Sequence, residues 1–154
     1  MSISISQADE KEAARLTQIA FAAKSYWKYP KEYLKLWKSE LTITPSYIQR
    51  NTVLKAVNEK KHILGVGAIE YSTVLDAYEI GHFWIAPTYI GQGIGSRLLI
   101  ALIRFAKKAG IKQLYSVADP NALGFYKKMG FTLIGKQESK PVGRYLPVLV
   151  LEIE

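Results

Sequence analysis

The sequence contains no cysteine, and this absence excludes disulfide bonds, thiolate catalysis and zinc sites built on cysteine. Histidine is almost as scarce, because only His62 and His82 occur, so we do not expect a histidine-rich metal site. No apolar run approaches the roughly 20 residues that cross a membrane. The first residues also lack the basic and apolar regions of a secretory signal. We therefore expect a cytoplasmic protein with no metal and no membrane partner.

Acidic residues are outnumbered, since 13 Asp and Glu stand against 21 Lys and Arg, which gives a net charge of +8. This balance favours anionic partners, a class that includes nucleic acids, acidic membranes and phosphorylated small molecules. Hydrophobic residues make up 49% of the chain and charged residues 22%, which is typical of a globular protein. A length of 154 residues suits one domain over residues 1–154.

The amino-terminal part of the sequence predicts a strand followed by helices. Alternating Ser and Ile indicate a strand over residues 2–6, and Asp9 is placed to cap a helix that runs to about residue 23. Pro30 and Pro45 stand where the first turns of two further helices would begin.

Lysines and aromatic residues interleave between residues 24 and 38, a mixture that can bind nucleic acid through phosphate contacts and base stacking. Their spacing favours another interpretation, because each set recurs every three or four residues and so occupies its own helical face. We expect exposed lysines and buried aromatic rings, some of which could instead line a substrate pocket. The lysines are Lys24, Lys28, Lys31, Lys35 and Lys38, and the aromatic residues are Tyr26, Tyr29, Tyr33 and Trp37.

A glycine-rich loop follows three predicted strands over residues 52–58, 62–74 and 77–86, which form the pattern of an antiparallel meander. In this loop, glycine occurs at every second position from 91 to 95, directly before an amphipathic helix over residues 94–109. Glycines leave backbone N–H groups accessible, and the first turn of a helix adds unpaired N–H donors with partial positive charge. The order of strand, glycine loop and helix therefore predicts a phosphate-binding site.

The helix over residues 94–109 joins the strand before the loop to another strand, so these two strands should be parallel neighbours. We therefore predict one α/β (α+β) domain with a mixed, mostly antiparallel central sheet, one parallel βαβ crossover and flanking helices. The other predicted elements are strands over residues 113–118, 131–136 and 145–153, and a short helix over residues 120–129.

Two motifs, about thirty residues apart and joined by one helix and one strand, make the chain resemble the GNAT superfamily of acetyl-CoA-dependent N-acetyltransferases. The first motif is the acyl-CoA loop, and the second is Asn followed by a Phe-Tyr pair and a Gly-Phe pair. The resemblance implies a GNAT fold, acetyl-CoA as acetyl donor and an amine as acceptor. The motif residues here are Ile85-Ala86-Pro87, Ile90-Gly91-Gln92-Gly93-Ile94-Gly95, Asn121, Phe125-Tyr126 and Gly130-Phe131.

The resemblance also implies which residues bind acetyl-CoA. The backbone of Ile85 would hold the pantetheine arm and the thioester carbonyl, and the glycine loop would hold the pyrophosphate. The implied cofactor-binding residues are Ile85, Ala86, Gly91, Gln92, Gly93, Ile94, Gly95, Ser96, Asn121 and Tyr126.

The sequence departs from the family pattern at two positions. Ile90 stands where Arg or Gln is usual, but the family's loop binds pyrophosphate largely through backbone N–H groups, so CoA binding should survive with lower affinity. The spacing from Asn to Tyr is seven residues in many members, whereas Asn121 lies five residues before Tyr126. Asp119 occupies the seven-residue position, so either residue could take the Asn role, and we favour Asn121.

Acetyl transfer requires a proton donor for the departing sulfur and a neutral amine. The resemblance implies Tyr126 as general acid and Glu79 as general base, because family members with a glutamate base carry it at a matching distance. His82 is the alternative base, since imidazole titrates near neutrality, and Glu70 or water chains are further options. Strict alternation would place Glu79 and His82 on opposite faces of a strand, unless a bulge at Gly81 brings them together.

Three functions are compatible with these observations. The leading one is transfer of the acetyl group of acetyl-CoA to a primary amine of a small molecule or peptide. Direct attack in a ternary complex is expected, because no cysteine can form an acetyl-enzyme. The alternative is a non-catalytic acyl-CoA-binding sensor or interaction module, and the third is a basic nucleic-acid-associated protein. We expect a monomer or homodimer, with residues 26–47 and 136–145 forming the acceptor site.

Overall fold

The computed structural model describes residues 2–154, in which seven strands form one sheet of order β1-β2-β3-β4-β5-β7-β6. Neighbouring strands are antiparallel except β4 and β5, which are parallel. The predicted mixed, mostly antiparallel sheet with one parallel crossover is therefore confirmed. The strands are β1 (Ile3–Gln7), β2 (Thr52–Asn58), β3 (Ile63–Ser72), β4 (Ala77–Ile85), β5 (Gln113–Val117), β6 (Thr132–Glu138) and β7 (Tyr145–Glu152).

Six α-helices flank the sheet over residues 2–154, and none of them is long and apolar enough to span a membrane. Asp9 does cap the first helical segment, which starts as a 3-10 turn before the α-helix proper. Thr44 caps the helix that begins at Pro45 by accepting a hydrogen bond from the Tyr47 N–H. The helices are α1 (Ala13–Ser25), α2 (Lys31–Leu36), α3 (Lys38–Leu41), α4 (Pro45–Arg50), α5 (Ile94–Lys108) and α6 (Leu123–Lys128).

One face of the sheet is covered by α5 and α6. Helix α5 is amphipathic, and its apolar stripe packs on the sheet because leucines recur every three or four residues. Leu98, Leu99 and Leu102 are fully buried in this core, together with Ile80 of β4 and Leu114 of β5. The helix thus links the parallel strands while fixing the loop before it against the sheet.

The other face is covered by α1 and α4. Leu16 and Ile19 of α1 pack against Val66 and Ala68 of β3, and Ile48 of α4 joins the same cluster. A second patch forms where α1 meets α2 and α3 around the buried ring of Trp37. Helix α1 therefore lies directly over β3 and β4, on the side of the sheet opposite α5.

A bulge at Gly81 changes the direction of side chains along β4. Ala68 pairs with His82 and the next residue, Ile69, pairs with Ile80, which leaves Gly81 as the extra residue. Glu79 and His82 consequently point to the same face, the one covered by α1. The bulge at Gly81 that the sequence analysis allowed for is therefore present, and it overrides strict alternation.

In the segment of interleaved lysines and aromatic residues, one lysine and one aromatic residue depart from the predicted pattern of exposed lysines and buried rings. Lys24 is buried instead of exposed, whereas Tyr26 is 47% exposed instead of buried. Trp37 does enter the core, and its indole N–H donates to the Lys140 carbonyl oxygen at 2.8 Å. Lys24 is buried because it continues the buried stripe of α1 after Ala20 and Ala23. The helical register then breaks after α1 and again at Trp37, so that no single face continues through the rest of the segment.

Candidate active site

A cleft of about 440 Å³ opens where the end of β4, the start of α5 and the loop before α6 meet the last turn of α1. Phe83, Trp84 and Ile85 line it from β4, and Asp119 and Asn121 line it from the loop. Strands β4 and β5 are paired only from Tyr78 to Ile80 on the β4 side. The end of β4 is therefore free to face the cleft.

The glycine loop leaves an open path to the helix N-terminus. Gly91 and Gly93 have φ values of 84° and 80°, a conformation that side chains other than glycine rarely adopt. Gly93 is the N-cap residue of α5, and no side chain caps the helix there. The first N–H groups of this 15-residue helix are thus available to an anion, which fits the pyrophosphate of a CoA thioester.

Most of the residues predicted to bind the cofactor line this cleft, and so does Ile90, the residue that departs from the family pattern. Ala86 does not line it, because it is buried with its N–H donating to the Leu64 carbonyl oxygen at 2.8 Å. Gln92 does not line it either, and its exposed side chain donates to the Thr88 carbonyl oxygen at 3.5 Å. The predicted residues that do line the cleft are Ile85, Gly91, Gly93, Ile94, Gly95, Ser96 and Asn121.

Tyr126, the predicted general acid, does not line the cleft. Its ring is buried in the core against Phe83, Phe125 and Phe131, and the cleft is lined by Phe125 instead. Burial raises the pKa of Tyr126 to about 12, partly offset by a hydrogen bond with Ser116. Its role as proton donor stays a prediction.

Glu79 and Glu70 form a direct cross-strand pair on the α1 side of the sheet. Burial and then the charge of Glu70 raise the pKa of Glu79 to about 7, and burial also raises the pKa of Glu70. The buried hydroxyl of Tyr47 lies beside the pair, and a side chain at Gly81 would overlap both Glu70 and Tyr47. Glu79 therefore sits where a carboxylate can exchange a proton near neutral pH.

His82, the alternative base, is buried and contacts Trp84, which lines the cleft. Its Nδ1 accepts a hydrogen bond from the Trp84 indole N–H at 2.9 Å, and the Tyr47 ring packs edge-on against it. Burial lowers the pKa of His82 to about 4, so the imidazole is neutral at physiological pH. Neither Glu79 nor His82 lines the cleft, and Trp84 stands between His82 and the cleft.

Five charged and polar side chains meet at the cleft wall, and the sequence did not predict that they lie together. Asp119 is its centre: Lys24 Nζ lies 2.5 Å from Oδ2, and the Tyr29 hydroxyl donates at 3.0 Å. Asn121 Nδ2 donates to Asp119 Oδ1 at 2.9 Å, and Arg144 Nη2 is 3.7 Å from Oδ2. We name these five residues the Asp119 cluster. The signal that pointed to it was the seven-residue spacing of Asp119 from the motif tyrosine.

The charged groups of the Asp119 cluster shift each other's pKa values. Burial alone would raise the pKa of Asp119, but Lys24, the Asn121 backbone N–H and Tyr29 together hold it below its usual range. The pKa of Lys24 is lowered by burial, and the attraction of Asp119 only partly offsets this. Within residues 2–154, no group of three or more His, Cys, Asp or Glu side chains is arranged to hold a metal ion.

Comparison with curated proteins finds N-acetyltransferases. The chain is similar to the uncharacterized N-acetyltransferase ycf52 of Gracilaria tenuistipitata var. liui, with 29% identity over 96 residues, 62% of this chain and 52% of that protein. It is 37% identical over 68 residues to the peptidyl-lysine N-acetyltransferase YjaB of Salmonella typhimurium, which covers 44% of this chain and 46% of that protein. The chain spans about half the length of these curated relatives.

Among solved structures, the chain is similar to the PaiA N-acetyltransferase from Thermoplasma acidophilum in complex with coenzyme A. The TM-score is 0.79 and the identity 18%, with 99% of each chain covered, so the likeness is one of fold. The family model of the acetyltransferase (GNAT) family matches residues 14–131, from α1 through α6. Because this match takes in the glycine loop, the cleft and most of the sheet, the chain belongs to the acetyltransferase (GNAT) family.

Proposed function

We propose that this protein transfers the acetyl group of acetyl-CoA to a primary amine of a small molecule or a peptide. The observation that carries the proposal is the cleft, in which the end of β4 at Ile85 faces the uncapped N-terminus of α5. The similar PaiA structure holds coenzyme A, which supports the same ligand class here. The name of the similar Salmonella protein, a peptidyl-lysine N-acetyltransferase, keeps a peptide lysine among the candidate acceptors.

Acetyl-CoA supplies an activated acetyl thioester when it is bound. The N–H groups of the glycine loop and of the first turn of α5 bind its phosphates, and the backbone of Ile85 orients the thioester end. Lys128 of α6 is the one Lys or Arg side chain among the described residues that line the cleft, and it adds a positive charge for a phosphate. Ile90 offers no polar group, so backbone N–H groups provide most of the binding.

Direct attack by the amine requires that the amine lose its proton. Glu79 has the better matched pKa for a base, because a pKa of about 7 leaves a substantial fraction ionised and still able to take a proton at neutral pH. His82, with its pKa lowered to about 4, is a much weaker base. Because Glu79 does not line the cleft, we propose that the proton reaches it through water. The absence of cysteine from the sequence supports attack in a ternary complex.

The second candidate function is a sensor that binds acyl-CoA without turnover. Two observations favour it: the hydroxyl of Tyr126 is buried beside Ser116 instead of facing the cleft, and Ile90 replaces a polar residue of the loop. A sensor would bind acetyl-CoA and release no thiol with any amine. The acceptor screen described next therefore separates the two functions.

The test is release of free CoA thiol from acetyl-CoA in the presence of amines, amino acids, polyamines and lysine peptides. Glu79→Gln should lower the rate by about 100-fold or more, the usual contribution of a general base. His82→Ala should leave the shape of the pH profile unchanged, and Glu59→Gln in an exposed turn is the matched control. An unchanged rate for Tyr126→Phe would remove that residue as general acid. Binding without thiol release across the whole panel would contradict the enzymatic proposal.

A further inference from the structure

The side chain of Asn121 is exposed in the cleft, yet hydrogen bonds hold it at two points. Its Nδ2 donates to Asp119 Oδ1 at 2.9 Å and to the Tyr29 hydroxyl at 3.1 Å. These partners come from distant parts of the chain, since Tyr29 precedes α2 and Asp119 follows β5. The last torsion of an asparagine side chain is soft, so these two hydrogen bonds set the orientation of the amide.

The chemistry of the two partners decides which way the Asn121 amide faces. An ionised carboxylate only accepts hydrogen bonds, so the amide turns its nitrogen toward Asp119. The Tyr29 hydroxyl donates its single proton to Asp119 at 3.0 Å, which leaves its oxygen to accept from Asn121. Both N–H donors of the amide are thereby used. None of the hydrogen bonds formed within residues 2–154 engages Asn121 Oδ1, so this oxygen is the free acceptor of a side chain that lines the cleft.

A free acceptor oxygen selects one part of acetyl-CoA. The phosphates are anionic and offer no hydrogen-bond donor at neutral pH, whereas the pantetheine arm carries amide N–H groups. Gly93 and Ile85, near which we place the phosphates and the thioester end, line the same cleft as Asn121. The arm that joins these two ends of the ligand therefore shares the cleft with Asn121 Oδ1.

We propose that Asp119 and Tyr29 are positioning residues, which hold the Asn121 amide so that Oδ1 accepts a hydrogen bond from the pantetheine arm. The inference rests on the proposed function, since acetyl-CoA must occupy the cleft. It also gives the acidic residue seven positions before Tyr126 a role of its own. Asp119 does not replace the motif asparagine; it orients the asparagine that stands two residues later.

Asp119 is itself fixed from two sides, which makes it a firm support for Asn121. Lys24 Nζ lies 2.5 Å from Oδ2, and Arg144 Nη2 lies 3.7 Å from the same atom. The other oxygen, Oδ1, accepts from the backbone N–H of Asn121 at 2.8 Å as well as from its side chain. An acceptor that is already oriented loses little conformational freedom when the ligand binds, so more of its hydrogen bond appears as affinity.

The experiment is a double-mutant cycle on acetyl-CoA affinity, measured by calorimetry. Asn121→Ala should raise the Kd about tenfold, because the ligand loses one hydrogen bond. Asp119→Ala should raise it by about threefold to tenfold in the unaltered chain, and should have no effect when Asn121→Ala is already present. A loss of equal size in both backgrounds would overturn the inference, because Asp119 would then act on affinity independently of Asn121.

Tyr29→Phe keeps every charge of the Asp119 cluster, so it tests the inference even if Asp119→Ala fails to fold. It removes one acceptor of the Asn121 amide, and the Kd should rise about threefold, again only while Asn121 is present. Tyr33→Phe is the matched control, because Tyr33 also packs edge-on against Trp37 but its hydroxyl makes no hydrogen bond within the described residues. An unchanged affinity for Tyr29→Phe would contradict the proposed orientation.

A second ligand distinguishes orientation of Asn121 from a general distortion of the cleft. Adenosine bisphosphate, the nucleotide part of CoA, lacks the pantetheine arm, so Asp119→Ala and Tyr29→Phe should leave its affinity unchanged. Equal losses for this nucleotide and for acetyl-CoA would overturn the inference.

The same measurements separate this inference from the proposed function. Variants that bind acetyl-CoA as tightly as the unaltered chain would overturn the inference alone. Absence of acetyl-CoA binding by the unaltered chain would overturn the proposed function and the inference together.

Discussion

The two faces of the sheet bury different kinds of side chain. The face under α5 is apolar throughout its centre, where Leu98, Leu102 and Ile80 pack without charged neighbours. The face under α1 has an apolar cluster too, but it also buries Lys24 and His82. The comparison teaches that the α5 face is an apolar core alone, while the α1 face combines an apolar core with buried titratable side chains.

Strand β4 connects these two faces with a single stretch of chain. Ile80 and Phe83 point into the α5 core, whereas Glu79, His82 and Trp84 point to the α1 side. The bulge at Gly81 places these three side chains on one face. A packed α5 face can therefore hold the strand rigidly while the opposite face presents titratable groups.

The largest expected effect is on the apolar face. Leu102→Ala should lower the free energy of unfolding by about 2–5 kcal/mol, because it leaves a cavity in a core that is closed to solvent. Ile100→Ala is the matched control on the same helix, since Ile100 is 41% exposed, and it should cost less than about 0.5 kcal/mol. Chemical denaturation measures both. Equal losses would contradict the division of the helix into a buried and an exposed side.

The next largest expected effect is a loss of folding stability when Asp119, the centre of the Asp119 cluster, loses its charge. Asp119→Asn should cost about 3 kcal/mol, because it leaves the buried cations of Lys24 and Arg144 without a counter-charge. Asp76→Asn is the control, since Asp76 is exposed and its φ of 51° suits Asn equally well. Thermal or chemical denaturation near neutral pH checks the difference.

The same substitution should alter acid stability in a defined direction. The pKa of Asp119 is lowered in the folded state, so its contribution is complete above the unfolded value of about 3.9 and is lost as the pH falls further. The gap in stability between the unaltered protein and Asp119→Asn should hence narrow below about pH 4. A gap that stays constant down to acid pH would show that the carboxylate does not stabilise the fold through its charge.

A smaller effect tests the carboxylate pair of β3 and β4. Glu70→Gln removes a negative charge beside Glu79, so the pKa of Glu79 should fall from about 7. Activity that depends on ionised Glu79 is lost as the pH drops through this pKa, and the variant should keep its activity to a pH lower by about 1 unit. The pH–rate profile measures the shift. A profile that does not move would separate Glu70 from the base.

The smallest expected effect is a change in acetyl-CoA affinity at Ile90, next to the glycine loop. Ile90→Gln restores a polar side chain at a position that lines the cleft, and one added hydrogen bond should tighten acetyl-CoA binding by about tenfold at most. Val74→Gln is the control, because Val74 is 79% exposed and lies outside the cleft. Calorimetry compares the two variants. Weaker binding by Ile90→Gln would mean that the apolar side chain itself contributes to the site.

The cofactor side of the molecule was predictable because its signals are local. The strand predicted over residues 52–58 and the leucine spacing of α5 depend on neighbours within a few positions, and the structure reproduces both elements closely. The parallel pairing of β4 with β5 followed from one helix joining two strands. Five of the residues predicted to bind acetyl-CoA line the cleft for the same reason, since Gly91, Gly93, Ile94, Gly95 and Ser96 belong to one continuous loop and helix start.

The Asp119 cluster was not predictable in the same way. Lys24 and Asp119 are 95 positions apart, and Tyr29 and Arg144 are 115 positions apart, so no local spacing could reveal that they meet. The break of the helical register at Trp37 has a similar cause, because its indole donates to the carbonyl oxygen of Lys140. Helical periodicity therefore assigned Lys24 to an exposed face that the tertiary structure replaces with a buried one.

The positions of the three tryptophans also give the protein an optical property. Two of its three tryptophans, Trp27 and Trp84, line the cleft, and the third, Trp37, is buried outside the cleft lining. A ligand that displaces water from the cleft changes the polarity around the first two indoles and leaves the third as an internal reference. The intrinsic fluorescence of the unlabelled chain thus reports occupancy of the site, and Trp27→Phe isolates the signal of Trp84.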